Sequence, residues 1–188
     1  MRMRSTTSRV YLRPPWPADE DEFLTRVRAS RRLHRPWTYP PDTSAGFRLL
    51  LSRAAMETEE IALVCRSRDE ALVGMVNLSQ IFLGDFRSAY LGYFAFVPFQ
   101  EQGYLTEGVT LLLRRAFASG GLHRVEANVQ PDNVRSITLV ERLGFRREGY
   151  SPKYLKIGGR WRDHVRYAIL AEEFLARDGG RRRRDRAP

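Results

Sequence analysis

Residues 93–107 have the pattern of a phosphate-binding turn. An apolar strand pattern leads through a turn that contains Gly103 into a helical pattern. Backbone N–H groups at a helix N-terminus bind phosphate, and the helix dipole favours the negative charge. Gly103 has no Cβ atom, so the backbone can approach a pyrophosphate closely, and the hydroxyl of Thr106 adds a contact. Taken alone, one glycine before a helix more often marks an ordinary turn.

A second polar pair stands at the start of a later helix. Asn133 precedes a helical pattern that stops at Gly144, which is typical of a helix C-terminus. An asparagine at this position commonly caps the helix with its side chain. Ser136 lies about one turn later and shares a face with Asn133. By itself, Ser136 is equally a solvated helix serine or a hydroxyl that serves a site.

Together, the two segments resemble the GNAT superfamily of N-acetyltransferases. The spacing Gln100-x-x-Gly103-x-Leu105 is similar to the GNAT pyrophosphate loop, Gln/Arg-x-x-Gly-x-Gly/Ala, with Leu105 in place of the usual small residue. The segment from Asn133 to Phe145 resembles the GNAT helix that flanks the pantetheine arm. Both halves occur in order with a strand pattern between them. The resemblance therefore implies an enzyme that uses acetyl-CoA as its acetyl donor.

Shorter segments resemble one branch of this superfamily, the bacterial ribosomal-protein-alanine N-acetyltransferases. These segments are 90–93, 123–128 and 161–165, together with His34-x-Pro36-Trp37, and the likeness runs from about residue 10 to 170. It implies an α/β GNAT fold with a mixed, mostly antiparallel sheet of about seven strands. Strands four and five splay apart to admit acetyl-CoA, and about four helices flank the sheet. A protein N-terminus would enter from the opposite side.

The resemblance also implies which residues contact acetyl-CoA. Backbone amides near Phe96 and Val97 would polarise the thioester carbonyl. Direct attack in a ternary complex is expected because no nucleophilic residue is evident. The full set of expected acetyl-CoA contacts is Phe96, Val97, Gln102, Gly103, Tyr104, Leu105, Thr106, Asn133 and Ser136.

Two catalytic candidates follow from the same resemblance, Ser136 and Asn128. Ser136 would face the thioester sulfur and stabilise or protonate the leaving thiolate, because Val140 occupies the position of the tyrosine acid found in many GNAT enzymes. Asn128 stands where related enzymes often have a glutamate base, and it could hold a water that relays the proton. Glu107 is fully explained by the helix dipole, and Glu126 faces either the cleft or solvent.

The absence of a carboxylate base affects which kind of amine can be the acetyl acceptor. Neither Asn128 nor Tyr90, two positions where related enzymes often carry a carboxylate, is a strong base. The attacking amine must be neutral, and the pKa of an α-amine is ~7.8 against ~10.4 for a lysine. The difference corresponds to about 3.5 kcal/mol of deprotonation at neutral pH. A site without an obvious base therefore favours an N-terminal α-amine over a lysine side chain.

Aromatic residues and one acid are the candidates for acceptor binding. Trp37, Tyr39, Tyr154 and Trp161 could line the acceptor groove, and each is equally well explained as packing. Asp163 could pair with the incoming α-ammonium or with a neighbouring arginine.

Periodicity supplies the elements that must position these residues. It predicts a strand, two helices, three strands, a helix, a strand, a helix and a final hairpin, which is the order of an α/β domain with one central sheet. We predict a single domain over residues 1–176 and a disordered Arg-rich tail over 177–188. The predicted strands are 10–12, 61–66, 72–81, 88–97, 124–129, 145–157 and 162–170, and the predicted helices are 19–32, 43–57, 102–117 and 134–143.

Charge and composition limit the partners. The formal net charge is +10, and residues 1–13 and 177–188 contribute +4 each, so the body is nearly neutral. A nucleic-acid-binding face on the body is therefore not expected, although the basic ends could contact the ribosome electrostatically. Cys65 is the single cysteine, which fits a reducing cytoplasm. We find no signal peptide or membrane-spanning run, and the three histidines lack metal-ligand spacing.

Three functions remain open from the sequence. The leading one is acetylation of a protein N-terminus, such as that of a ribosomal protein with an N-terminal alanine or another small residue. The second is acetylation of a small amine such as a polyamine, an amino acid or an aminoglycoside. The third is a degenerate domain that binds CoA or assists ribosome assembly. The sequence leaves the choice between monomer and homodimer open.

Overall fold

Seven strands form one sheet in the computed structural model, which describes residues 8–184. The strands are β1 Val10–Arg13, β2 Glu60–Arg66, β3 Leu72–Phe82, β4 Ser88–Ala95, β5 Arg124–Val129, β6 Arg146–Ile157 and β7 Arg160–Leu170. Their order in the sheet is β1-β2-β3-β4-β5-β7-β6. Every neighbouring pair is antiparallel except β4 and β5, which are parallel. The predicted mixed, mostly antiparallel sheet is confirmed.

The described residues form six α-helices where the sequence predicts about four. They are α1 Glu20–Ala29, α2 Arg31–His34, α3 Ser44–Ala54, α4 Tyr104–Ala118, α5 Val134–Leu143 and α6 Ala171–Arg184, with a 3-10 turn at Pro17–Asp19. One extra helix arises at Ser30, whose hydroxyl donates to the carbonyl oxygen of Arg26 at 2.7 Å and ends α1 there. None of the described helices is both long and apolar enough to cross a membrane.

The helices cover both faces of the sheet, and β4 shows which helices lie on which face. Successive side chains of a strand point to opposite faces. Phe94 packs against Phe23 of α1 and His34 of α2, with ring centroids 6.4 and 5.1 Å apart. The neighbouring Tyr93 instead reaches Ser136 of α5. Helices α1 and α2 therefore lie on one face, and α5 lies on the other.

The sheet opens between its two parallel strands. Strands β4 and β5 pair only where Ser88–Tyr90 lies beside Arg124–Glu126. Both strands continue beyond this point, to Ala95 and Val129, without pairing to each other. The predicted splay between strands four and five is therefore present, and its edges carry backbone groups that no neighbouring strand satisfies.

The predicted disordered tail begins inside a helix. Arg177 and Asp178 belong to α6, which packs on α4 through Phe174 and Phe117 at 5.6 Å between ring centroids. The carboxylate of Asp178 accepts from Nε of Arg114 at 2.7 Å. The structure places residues 177–184 in this helix, and contacts with α4 hold the start of the basic segment. Residues 185–188 and the basic residues before position 8 lie outside the described part.

Deleting residues 177–188 is expected to lower the free energy of unfolding by about 1–3 kcal/mol, because it leaves the partly buried guanidinium of Arg114 without this carboxylate. Chemical denaturation measures this difference. A truncation after Gly179 is the matched control, since it removes the Arg-rich end and keeps Asp178. Equal stability of the two truncations would show that the ion pair contributes nothing measurable.

Candidate active site

A cavity of about 640 Å³ occupies the opening between β4 and β5. Residues of β4 and β5 form its walls, and the start of α4 and one side of α5 close one end. Strands β6 and β7 and helix α2 contribute to the other end. The cavity therefore passes through the sheet at its splay, so one ligand can be reached from both faces.

One end of the cavity has the properties of a phosphate site. Gly103 has φ +81°, a left-handed conformation that favours glycine, and it directly precedes α4. No side chain caps the first turn of α4, so its N–H groups are available to an anion. The side chain of Arg135 lies at the same end, where Nε is 2.9 Å from the carboxylate of Glu101. The residues present thus fit a pyrophosphate.

Five of the nine predicted acetyl-CoA contacts line this cavity. They are Gly103, Leu105, Thr106, Asn133 and Ser136. The side chain of Gln102 turns back to donate to the carbonyl oxygen of Pro98 at 2.7 Å, and Tyr104 is buried beside Phe99. Neither lines the cavity, although both contribute backbone to the turn.

The structure gives the backbone amides of Phe96 and Val97 hydrogen-bond partners within the protein. The N–H of Phe96 donates to the carbonyl oxygen of Val73 at 2.9 Å, and that of Val97 donates to Oγ of Ser30 at 3.0 Å. Both donors are therefore already occupied, and neither residue lines the cavity. The sequence could not reveal this, because Val73 and Ser30 are distant in the chain.

The free donors of β4 lie slightly earlier in the strand. Alternate residues of an antiparallel strand bond the same neighbour. Since Phe96 bonds β3, the N–H groups of Tyr93 and Ala95 point to the opposite edge, where β4 has separated from β5. Both residues line the cavity. Two backbone donors thus face the opening and can polarise a carbonyl placed there.

A hydroxyl pair lies beside these donors. The hydroxyl of Tyr93 is 2.6 Å from Oγ of Ser136, and both residues line the cavity. Burial raises the pKa of Tyr93 to about 12, so the phenol stays protonated. A phenol is a stronger hydrogen-bond donor than an alcohol. Tyr93 can therefore donate to Oγ of Ser136 and leave the serine hydrogen free to point into the cavity.

Asn133 has the structural role that its position predicts. Its side-chain oxygen accepts from the backbone N–H of Ser136 at 3.2 Å, so Asn133 caps α5. This bond fixes the first turn of α5, which carries Ser136 toward the cavity.

The acceptor end matches the predictions in part. Trp37 and Tyr154 line the cavity. Tyr39 instead lines a separate cavity of about 240 Å³, and its ring packs against Gly158 at the tip of the β6–β7 hairpin. Asp163 does not line the cavity, because it alternates with the cavity-lining His164 along β7. Its carboxylate accepts from Tyr150 and from the N–H of Lys153, which holds the pKa of Asp163 below its usual range.

Of the residues considered as general bases, only Asn128 lines the cavity. Glu107 is bound to Arg9, whose backbone N–H donates to it at 3.0 Å, and Glu126 pairs with Arg124 at 2.9 Å. Both carboxylates therefore have structural partners and lie outside the cavity lining. Asn128 lines the cavity, and its side-chain oxygen is buried without a hydrogen-bond partner in the described residues. Such an oxygen still needs a donor.

Comparison with known proteins identifies the domain. Residues 9–146 match the family model described as "Acetyltransferase (GNAT) domain". The chain is a member of the GNAT acetyltransferase family. As a GNAT enzyme it is an acetyl-CoA-dependent N-acetyltransferase.

The chain is similar to the following three members of the family over most of its length. The [Ribosomal protein uS5]-alanine N-acetyltransferase of Escherichia coli is 29% identical over 181 residues, which cover 92% of this chain and 93% of that protein. The structure of Mycobacterium smegmatis RimJ in complex with CoA-disulfide has a TM-score of 0.81 at 28% identity and covers 90% and 89% of the two chains. The spermidine N(1)-acetyltransferase of Vibrio cholerae is 25% identical over 82% of this chain and 90% of that protein.

The sequence analysis missed four side chains of this GNAT site: Tyr90, Tyr93, His34 and His164 all line the cavity. Each lies within a segment that resembles the ribosomal-protein-alanine enzymes, but no pattern in the sequence gives these residues a role. The available signal was strand alternation, which places every second residue of β4 and β7 on one face.

The two histidines of the cavity are both held by backbone carbonyl oxygens. Nε2 of His34 is 2.8 Å from the carbonyl oxygen of Ala95, and Nδ1 of His164 is 3.0 Å from that of Arg162. Burial lowers the pKa of each imidazole, so both are neutral at pH 7. Each bonded nitrogen must therefore be the N–H donor, and the other nitrogen of each ring carries a lone pair.

Proposed function

We propose that this enzyme acetylates the N-terminal α-amine of a protein, in the manner of the ribosomal-protein-alanine N-acetyltransferases that it resembles. The preferred acceptor would be a ribosomal protein with an N-terminal alanine or another small residue. Acetylation would then take place in the cytoplasm, with possible long-range attraction between the basic chain ends and the ribosome.

The charge of the cavity carries this proposal. Among the described residues that line it, Glu101 is the one carboxylate, and Glu101 is paired with Arg135 at the phosphate end. A polyamine brings several positive charges that would lose their hydration without an acidic partner. An α-amine brings at most one charge, and it loses that charge with a pKa of ~7.8. The lining therefore favours a protein N-terminus over spermidine.

Different residues of the cavity would have different roles in such an acetyl transfer. Bound acetyl-CoA supplies the acetyl group as a thioester. The first turn of α4 after Gly103 would hold the pyrophosphate. The N–H groups of Tyr93 and Ala95 would stabilise negative charge on the carbonyl oxygen during attack. The Ser136 hydroxyl, oriented by Tyr93, would donate to the departing thiolate.

Asn128 and the acceptor-side aromatics would position the amine. The buried oxygen of Asn128 can accept a hydrogen bond from an amine or from a water that relays its proton. Trp37 and Tyr154 would bound the space around the first residue of the acceptor. A small first residue follows from this arrangement, because a pocket walled by large rings excludes bulk.

The test uses one peptide that begins with alanine and contains an internal lysine, prepared with a free and with a blocked N-terminus. Mass spectrometry should locate the acetyl group on the free α-amine alone. Turnover of the blocked peptide should be at least about 100-fold slower, because a lysine amine is ~2.6 pKa units harder to deprotonate. Spermidine serves as the third substrate. Equal labelling of the lysine, or faster turnover of spermidine, would overturn the proposal.

A further inference from the structure

His164 is a buried titratable group that the mechanism above does not use. It lies on β7, it is 1% exposed, and it lines the cavity at the acceptor end. Its ring is tilted against that of Tyr154, with centroids 5.9 Å apart. Residue 164 shares a face of the sheet with Asn128, because Asn128 pairs with Arg166, two residues further along β7.

The hydrogen bond to Arg162 fixes how this imidazole is protonated. A carbonyl oxygen only accepts, so Nδ1 of His164 carries the hydrogen and donates at 3.0 Å. Nε2 therefore holds the lone pair, and it makes no hydrogen bond within the described residues. A histidine held at Nδ1, with a free lone pair at Nε2 in a substrate cavity, has the arrangement of a general base.

Its surroundings leave His164 as the available base. Asn128 from β5, Tyr154 from β6 and Tyr90 from β4 are uncharged residues that line the same cavity. Burial raises the pKa of Tyr90 to about 12, so its phenol keeps its proton.

The charged side chains near His164 belong to the neighbouring positions of β7 and to β5. Arg162 and Arg166 flank it on the same face of β7, while Asp163 points to the opposite face and is held by Tyr150 and Lys153. Glu126 of β5 is paired with Arg124. His34 from α2 also lines the cavity, but its free nitrogen is fully enclosed. Burial of His164 lowers its pKa, so the imidazole is neutral and able to accept a proton at pH 7.

We propose that Nε2 of His164 removes the proton from the acceptor amine, which makes His164 a catalytic residue. This inference rests on the proposed acetylation of an α-amine. The ammonium gives one proton to Nε2, and the freed nitrogen lone pair attacks the thioester carbonyl carbon. The C–N bond forms, and the C–S bond breaks with its electron pair on sulfur. The second N–H proton passes to the thiolate, and His164 releases the first to solvent.

A weak base of this kind fits the acceptor. The ordinary pKa of a histidine, ~6.5, lies close to that of an α-amine, ~7.8, whereas that of a lysine, ~10.4, lies much further above it. Proton transfer from the α-ammonium to Nε2 is therefore only moderately uphill. The base would contribute selectivity for N-termini as well as rate.

The variant that tests this inference is His164→Asn, which retains a side-chain N–H near the position of Nδ1 and has no basic nitrogen. We expect kcat/KM for the alanine peptide to fall about 100-fold at pH 7. Between pH 5 and 9, the wild-type kcat/KM should fall on the acid side with the ionisation of His164 below pH 6.5, because neutral His164 can deprotonate the bound ammonium. The variant cannot deprotonate the ammonium, so its kcat/KM should instead follow the ionisation of the amine, at a pKa of ~7.8. His123→Gln, which changes an exposed histidine, should reproduce the wild-type profile.

Two further measurements test the proposal even if His164→Asn folds poorly. Calorimetry with acetyl-CoA should give the wild-type Kd for His164→Asn. In the wild-type enzyme, nitrogen chemical shifts should identify the Nδ1–H tautomer of His164 and its protonation at Nε2. An Nε2–H tautomer, or a folded variant with the wild-type pH profile, would overturn the role of His164. Failure of the wild type to acetylate any free N-terminus would instead overturn the proposed function.

Discussion

Replacing Gly103 with tryptophan is expected to weaken acetyl-CoA binding by about 100-fold or more, equivalent to about 2.7 kcal/mol. Gly103 has φ +81° at the entry to α4, and a Cβ atom there would lie 3.0 Å from Nη2 of Arg9. A bulky side chain at this point would occupy the space in front of the free N–H groups of the first turn. Loss of close backbone approach removes several hydrogen bonds to phosphate together.

Backbone strain alone would also weaken the protein, so the control must carry the same strain. Gly121 has φ +69° and open space around its Cβ position. Gly121→Trp therefore imposes a similar left-handed conformation at an exposed site away from the cavity. Isothermal calorimetry should give wild-type affinity for Gly121→Trp and greatly reduced affinity for Gly103→Trp, with both variants folded by circular dichroism. Unchanged affinity in Gly103→Trp would exclude this turn as the pyrophosphate site.

The second large effect is expected at Tyr93. Tyr93→Phe should lower kcat by about 100-fold with little change in the Kd of acetyl-CoA, because a donor that acts on the departing thiolate matters mainly in the transition state. Ser136→Ala should cause a loss of similar size. If Tyr93 acts through Ser136, the double variant should be little worse than either single variant. Stopped-flow or single-turnover assays with the alanine peptide measure the chemical step directly.

A buried hydroxyl outside the cavity provides the control for this pair. Tyr167 donates to the carboxylate of Glu141 on α5 at 3.1 Å and does not line the cavity. Tyr167→Phe thus removes a comparable hydroxyl next to the same helix. It should retain wild-type kcat. Additive losses in Tyr93→Phe and Ser136→Ala would mean that the two hydroxyls act separately, and a wild-type kcat in Tyr93→Phe would remove the phenol from the mechanism.

The hydroxyl pair also accounts for an apparent defect in the sequence. The tyrosine acid found in many GNAT enzymes is absent from α5, where Val140 stands and is fully buried. The structure provides a phenol from β4 instead, at 2.6 Å from Ser136. In the proposed mechanism, this phenol acts through Ser136 in place of the tyrosine that α5 lacks.

The sequence by itself determined the order of the seven strands along the chain and the positions of the helices that flank the cavity, α4 and α5. Strand β5 and helix α5 have the predicted bounds, because alternation and helical periodicity are strong there and Gly144 ends the helix. The turn at Gly103 and the cap at Asn133 follow from local chemistry, because both depend on nearby residues, whereas their role toward acetyl-CoA came from the family resemblance. The parallel pair that splays came from resemblance to the family rather than from periodicity.

The tertiary structure decided which groups meet across the opening. The amides of Phe96 and Val97 are consumed by Val73 and Ser30, and Tyr93 reaches Ser136 across 43 positions of sequence. Nδ1 of His164 is bonded to its own strand, which leaves the lone pair of this cavity-lining residue on Nε2. Helix α6 persists past Arg177 because α4 provides Phe117 and Arg114. Local propensity cannot encode such contacts, because they depend on which residues the sheet register brings together.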